Sequence, residues 1–165
     1  MVRFTQTEWI NNMSFTIKSI FGGGENETDR RGEERVRLPE EATILIIDDS
    51  PTAIAVLSKT LEPTGYTLIS AENAEEGIEI AKSELPDIIL MDVIMPGLNG
   101  FQATRILRKE ASTSEIPIII ISGSEQATEK FWGMRVGANG FLSKPAERKE
   151  LFHLLREHLP KAEVL

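Results

Sequence analysis

The sequence predicts an α/β fold in which helices cover both faces of a five-stranded parallel sheet, a doubly wound architecture. From Thr43 onward, short apolar runs rich in β-branched residues alternate with longer segments of helical length. Strict alternation of strands and helices implies right-handed βαβ crossovers, which place helices on both sides of the sheet. The strands are almost continuously apolar, as a sheet buried on both faces requires.

Five runs are short enough and branched enough to be strands. They are TILII (43–47), YTLIS (66–70), DIILM (87–91), IPIIII (116–121) and NGFLS (139–143).

The segments between and after these runs have the length and amphipathic pattern of helices. They cover residues 51–65, 73–86, 100–112, 125–137 and 147–159. Ser50 followed by Pro51 is an ordinary helix start, with the serine as cap and the proline at the first helical position. In the last segment, Leu151, Leu154, Leu155 and Leu159 fall on one face of a helix and should pack on the sheet.

Composition limits the class of protein. The chain has 165 residues, 41% of them hydrophobic, which suits one domain and a tail. A formal charge of -8 argues against nucleic-acid binding, which needs a clustered positive face. There is no cysteine, which excludes disulfides and thiolate chemistry. With no long apolar span or leader pattern, we expect a cytoplasmic protein that does not associate with membranes.

Three parts are distinguished by composition: a tail (1–21), a linker (22–41) and the domain (42–165). The linker combines three glycines with dense mixed charge, so burial cannot order it. The tail carries an apolar stripe at helical spacing and only two basic residues. We expect the tail to dock on a protein partner, the alternatives being that it folds back on the domain, is disordered or, least favoured, lies on a membrane.

Polar residues stand where the predicted strands end. They are Asp48 and Asp49 after the first strand, Asp92 after the third, Ser122 at the end of the fourth and Lys144 after the fifth. Ligands of open parallel sheets bind at the carboxyl ends of the strands, so these side chains should converge. Each has an ordinary explanation alone, as a turn or cap residue, but turn chemistry does not account for their joint placement. Three neighbouring acids suit a hard divalent cation such as Mg²⁺.

These residues lie in motifs that resemble the receiver domain of two-component response regulators, the family of the chemotaxis protein CheY. The motifs are IIDDS, DIILMDVIMPGLNGFQATRILR, IIIISGS and GANGFLSKP, and the resemblance extends from residue 42 to about residue 160. DVIMPGLNGFQATR and FWGMRVGA are similar to the PilH-type twitching-motility regulators. The resemblance implies the strand order 2-1-3-4-5.

The resemblance also implies roles for individual residues. Asp92 corresponds to the phosphoacceptor, which receives a phosphoryl group from a histidine kinase of the CheA-like type. Lys144 and Ser122 would contact the phosphoryl oxygens, and Phe141 would be the aromatic switch. The implied Mg²⁺ ligands are Asp49 and Asp92 directly, Asp48 through a water molecule, and the backbone carbonyl of Ile94. The family also makes a cis peptide bond plausible before Pro145.

We therefore expect a stand-alone phosphorylation switch or phosphate sink of a chemotaxis-like, type IV pilus pathway rather than an enzyme. Output would pass through a face formed by the fourth helix, the fifth strand and the fifth helix, in a monomer or weak dimer. Ile94 and Ser124 occupy positions that tune acyl-phosphate hydrolysis in the family, and the bulky Ile94 predicts a long-lived phosphoryl group. The alternatives are a pseudo-receiver that binds partners without phosphorylation and, less favoured, a Mg²⁺-dependent aspartyl-phosphate phosphatase, which would normally carry an acid in place of Ile94.

Overall fold

The structure is a computed structural model that describes residues 42–123 and 135–159. The predicted tail (1–21) and linker (22–41) lie outside the described residues, as do most of the fourth helical segment and residues 160–165. The predictions for these parts stay predictions.

Five parallel strands form one sheet in the order β2-β1-β3-β4-β5, as expected. The strands are β1 (Thr43–Ile47), β2 (Thr67–Ala71), β3 (Ile88–Asp92), β4 (Ile118–Ser122) and β5 (Gly140–Ser143). Four of them begin one or two residues later than the sequence pattern suggested. At β3 the reason is visible, because the Asp87 side chain turns back and accepts the Thr43 N–H at 2.7 Å.

Four α-helices are described: α1 (Pro51–Leu61), α2 (Ala74–Glu84), α3 (Gly100–Lys109) and α4 (Arg148–His158). The first three end earlier than expected. After α1 the chain tightens into a 3-10 turn (Glu62–Thr64) and reaches Gly65 in the left-handed region, with φ 76°. After α2, Leu85 leaves the helical region at φ 46° because the following Pro86 disfavours an α conformation before it.

The alternation of side chains along each strand divides the core into two layers. On one face, residues such as Leu45, Ile89 and Ile120 pack against α2 and α3. On the other, residues such as Ile44, Leu90 and Ile119 pack against α1 and α4. From the expected leucine face of α4, Leu151, Leu155 and Leu159 are buried and Leu154 is partly buried. This core fixes the carboxyl edge of the sheet, where the polar residues lie.

In the described part of the chain, no helix is both long enough and apolar enough to cross a membrane.

Candidate functional site

The acidic residues meet at the carboxyl edge of the sheet. Asp48 follows β1 and is buried, Asp49 beside it is exposed, and Asp92 is the buried last residue of β3. One carboxylate oxygen from each of the three lies within 4.8 Å of the others. Since β1 and β3 are paired neighbours, parallel pairing brings their ends together. This clustering is what the placement of the acids after neighbouring strands predicted.

Lys144 joins the two buried acids. Its Nζ donates to Asp48 Oδ2 and to Asp92 Oδ1, each at 2.6 Å. The residue follows β5, its backbone N–H donates to the Ser122 carbonyl at 2.7 Å, and the Lys144–Pro145 peptide bond is cis. Although two strands lie between β1 and β5 in the sheet, the long side chain reaches across to the acids.

Local hydrogen bonds position Asp48 at the start of α1. Its Oδ1 accepts the Ser50 N–H at 2.9 Å, and the Ser50 hydroxyl in turn accepts the Ala53 N–H at 3.3 Å. Ser50 is therefore the N-cap of α1 with Pro51 at the first helical position, as the sequence predicted. Asp48 therefore takes part in both the helix start and the acidic cluster. One of its oxygens accepts the Ser50 N–H, and the other accepts from Lys144.

The cluster carries more negative than positive charge, because three carboxylates face the one ammonium of Lys144. Burial raises the pKa of Asp92, and the charges of Asp48 and Asp49 add to that effect against the opposing Lys144 ammonium. Burial acting alone would lower the pKa of Lys144, but its hydrogen bonds and charge interactions with Asp48 and Asp92 outweigh it and leave the pKa raised. Both groups thus hold their protons more tightly than usual, so the cluster attracts positive charge.

Three further predicted residues, Ser122, Phe141 and Ile94, lie within the described part of the chain. Ser122 ends β4 and is fully buried at the same edge. Phe141 on β5 is partly buried against the core layer that faces α2 and α3. Ile94, two residues beyond Asp92, exposes 66% of its surface. Ser124 lies outside the described residues.

Two charged side chains that the sequence pattern did not single out hold the neighbouring loops. Glu75, in the first turn of α2, accepts the Leu98 N–H at 3.1 Å in the loop after β3. Arg108, near the end of α3, donates to the carbonyls of Ser114, Ile116 and Gly137 and to the Asn139 side chain. Their sequence signals are weak, because an acid in the first turn and a base in the last turn are ordinary in helices.

The donor set fits a hard divalent cation. Three carboxylates supply the oxygen ligands that Mg²⁺ prefers, and their closest oxygens lie near enough to share one ion. The single ammonium of Lys144 cannot balance three carboxylates, so a cation would remove the remaining repulsion.

The fold, the acidic cluster and its lysine define the class of protein. Residues 44–156 match the family model of the response regulator receiver domain, and the chain belongs to this family. Receiver domains are the phosphoacceptor modules of signalling systems whose phosphoryl donors are histidine kinases.

The chain is also similar to individual response regulators. The chain is 51% identical over 110 residues to Protein PilH of Pseudomonas aeruginosa, which corresponds to 67% of this chain and 91% of that protein. It is 34% identical over 123 residues to the transcriptional regulatory protein YvrH of Bacillus subtilis, covering 74% of this chain and 51% of YvrH. The chain thus spans nearly all of PilH but about half of YvrH.

Solved structures agree with the fold. The chemotaxis protein CheY4 of Vibrio cholerae superposes with a TM-score of 0.68 at 30% identity, covering 72% of this chain and 99% of that one. The receiver domain of the sensor histidine kinase PA1611 of Pseudomonas aeruginosa, solved with a magnesium ion coordinated in its active-site cleft, gives a TM-score of 0.67 at 28% identity, covering 72% of this chain and 97% of that one.

Proposed function

We propose that this chain is a response regulator in which Asp92 accepts a phosphoryl group from a histidine kinase and thereby changes the contacts of the domain with other proteins. The observation that carries the proposal is the buried Asp92 carboxylate, which lies beside two further acids and accepts a hydrogen bond from Lys144 at 2.6 Å. Phosphoryl transfer depends mainly on positioning and on neutralising charge, and these residues supply both.

In the proposed reaction an Asp92 carboxylate oxygen attacks the phosphorus of a phosphohistidine. A carboxylate O–P bond forms as the N–P bond breaks, and the imidazole nitrogen leaves with the electron pair of that bond. Lys144 would turn from its two carboxylates toward the phosphoryl oxygens, where a compact ammonium suits the added negative charge. The buried Ser122 hydroxyl would donate to another phosphoryl oxygen.

The proposed Mg²⁺ ligands are Asp48, Asp49, Asp92 and the backbone carbonyl of Ile94. When bound, the cation neutralises part of the charge on the acids and on the phosphoryl group. Ile94 also weakens the phosphatase alternative, because the exposed side chain in that position carries no carboxyl group.

The proposed output is a change in protein contacts. Phe141 lies beside an open cavity of about 850 Å³, which Leu142, Leu154 and His153 also line, on the side of the domain formed by β5 and α4. Movement of Ser122 toward the phosphoryl group would free space for Phe141 to turn inward. The identity with PilH supports a place in a chemosensory pathway of the twitching-motility type, either as a signal or as a phosphate sink.

The test is incubation with a small phosphodonor and Mg²⁺, followed by measurement of the intact mass. We expect the parent to gain one phosphoryl group only when Mg²⁺ is present, and Asp92→Asn to gain none. Asp87→Asn is the matched control, because Asp87 lies before β3, at the opposite end of the strand from Asp92, and its role as acceptor for the Thr43 N–H survives in an amide. A parent that gains no mass would point instead to a pseudo-receiver that binds partners without phosphorylation.

A further inference from the structure

The loop between β3 and α3 (93–99) carries the residues that follow the candidate phosphoacceptor. Its two ends are joined, because the Gly100 N–H donates to the Val93 carbonyl at 2.9 Å. Val93 and Met95 are buried, whereas Ile94 between them is exposed. The tip, Pro96 and Gly97, is exposed to solvent. Leu98, directly after the tip, packs in part against the core, so the tip is the part of the loop that would be free to move without a further contact.

A side chain from another element holds the tip. The carboxylate of Glu75 on α2 accepts the Leu98 N–H through Oε1 at 3.1 Å. The same oxygen lies against Gly97, where a Cβ atom would approach it to 2.7 Å. Gly97 is in the left-handed region, with φ 78°, so glycine suits this position both for its backbone conformation and for the close carboxylate.

The contact is specific to Glu75. The next residue, Glu76, is also an exposed acid in the first turn of α2, but its carboxylate lies 3.4 Å from the Glu72 N–H, within the turn that precedes the helix. Both acids interact favourably with the positive end of the helix. Among the described residues, only Glu75 joins α2 to the loop tip through a side-chain hydrogen bond.

We propose that Glu75 is a positioning residue for the candidate phosphoryl site: by holding the loop at Gly97 and Leu98, it keeps the loop in the conformation that presents the Ile94 carbonyl to the cation. This inference rests on the proposed function. Residues that do not bind a metal themselves but orient its ligands commonly strengthen metal binding, and their removal weakens the affinity tenfold or more. Glu75 acts in this way on a backbone ligand, through a hydrogen bond four residues further along the loop.

The experiment compares Glu75→Ala, Glu75→Gln and Glu76→Ala in the full chain. Two quantities are measured, the exchange rate of the Leu98 amide by NMR without metal and the Mg²⁺ dissociation constant by calorimetry. We expect Glu75→Ala to accelerate Leu98 exchange and to weaken Mg²⁺ binding by about five- to tenfold. Glu75→Gln should stay near the parent in both, because the amide oxygen still accepts the Leu98 N–H although the charge is gone.

The control separates position from charge. Glu76→Ala removes the same charge from the same turn, so an equal loss of Mg²⁺ affinity there would overturn the positioning role. Faster Leu98 exchange with unchanged Mg²⁺ affinity in Glu75→Ala would overturn it as well. If the parent itself shows no Mg²⁺ binding, the proposed function fails and the inference fails with it. That result is distinguishable because it appears in the parent, not only in the variant.

Discussion

At the scale of single residues, the cluster is organised around Lys144. Its ammonium lies 2.6 Å from an oxygen of each of two buried carboxylates, Asp48 and Asp92. Removing one partner of a buried ion pair lowers the free energy of unfolding by more than the intact pair adds to it, because the remaining charges stay buried without a counter-charge. We therefore expect the loss of Lys144 to destabilise the domain without metal, apart from its proposed role toward the phosphoryl group.

This gives a prediction for Lys144→Met, which keeps an unbranched side chain one heavy atom shorter and removes the charge. Urea unfolding with a chelator present should show a free energy of unfolding lower by about 1–3 kcal/mol. Mg²⁺ should raise the melting temperature of this variant more than that of the parent, because the acids have lost their cation.

The control is Lys82→Met. Lys82 pairs with Glu79 on the exposed face of α2 at 2.9 Å, and loss of such a surface pair should change stability by less than about 1 kcal/mol. Equal effects of the two substitutions would contradict the special role assigned to Lys144.

Ile94 gives a second prediction at this scale. Its side chain is 66% exposed and lies two residues beyond Asp92, where a bulky apolar group can restrict the water that hydrolyses an acyl phosphate. The purified phosphoprotein should keep its phosphoryl group well beyond seconds without a phosphatase, and Ile94→Asn should shorten the half-life. A parent half-life of seconds or less would refute this explanation.

At the scale of secondary structure elements, the position of α3 depends on a close backbone approach. A Cβ atom on Gly100 would clash with the carbonyl oxygen of Asp92, and backbone atoms cannot move aside as a flexible side chain can. The Asn99–Gln102 capping box begins α3 at the same point. The glycine therefore lets the helix start directly against the end of β3.

Gly100→Ala should accordingly lower the melting temperature substantially and reduce Mg²⁺ affinity, since the clash is with the backbone of a candidate ligand. Gly123→Ala is the matched control, because the described residues leave open space around a Cβ atom at that position. The melting temperatures of the two variants are measured in parallel, and we expect the lower value for Gly100→Ala. Similar melting temperatures would refute the assigned role of Gly100.

The elements also show how far the sequence alone leads. Runs such as Ile118–Ile121 identify buried strands because few other elements are so short and so branched. The predicted first and second helices run past Leu61 and Glu84, although Pro63 and Pro86, two residues beyond these ends, are stop signals that the sequence itself contains. The hydrogen bond between Glu75 and the Leu98 N–H could not be predicted, since it joins residues 23 positions apart and no local sequence pattern signals it.

At the scale of the whole molecule, the two core layers explain why the acids at the sheet edge could be anticipated. Once the strands are parallel and buried on both faces, their carboxyl ends must meet at one edge. The sequence does not indicate which buried polar groups lack partners. Tyr66 is such a group, since its hydroxyl is buried and has no hydrogen-bond partner among the described residues.

Burial raises the pKa of Tyr66 to about 12. An unfolded tyrosine ionises near pH 10, so the unfolded state loses its proton first as the pH rises. The contribution of Tyr66 to stability should be complete below about pH 10 and should be lost between about pH 10 and 12.

Tyr66 is the only tyrosine in the chain, so its absorbance near 295 nm reports this ionisation directly. The midpoint should lie well above pH 10 in the folded protein and return to about 10 in urea. Tyr66→Phe should lack the loss of stability between about pH 10 and 12 and be at least as stable at neutral pH, because it removes a hydroxyl that has no partner among the described residues. A folded-state midpoint near 10 would contradict the burial argument.

The central claim is that Asp92 carries the phosphoryl group. The most direct measurement is to phosphorylate the full chain with a small phosphodonor and Mg²⁺, reduce the product with borohydride and sequence the peptides by tandem mass spectrometry. Reduction of an aspartyl phosphate leaves homoserine, and we predict homoserine at position 92 alone. Homoserine at position 48 or 49, or a phosphorylated protein with none at 92, would contradict the account.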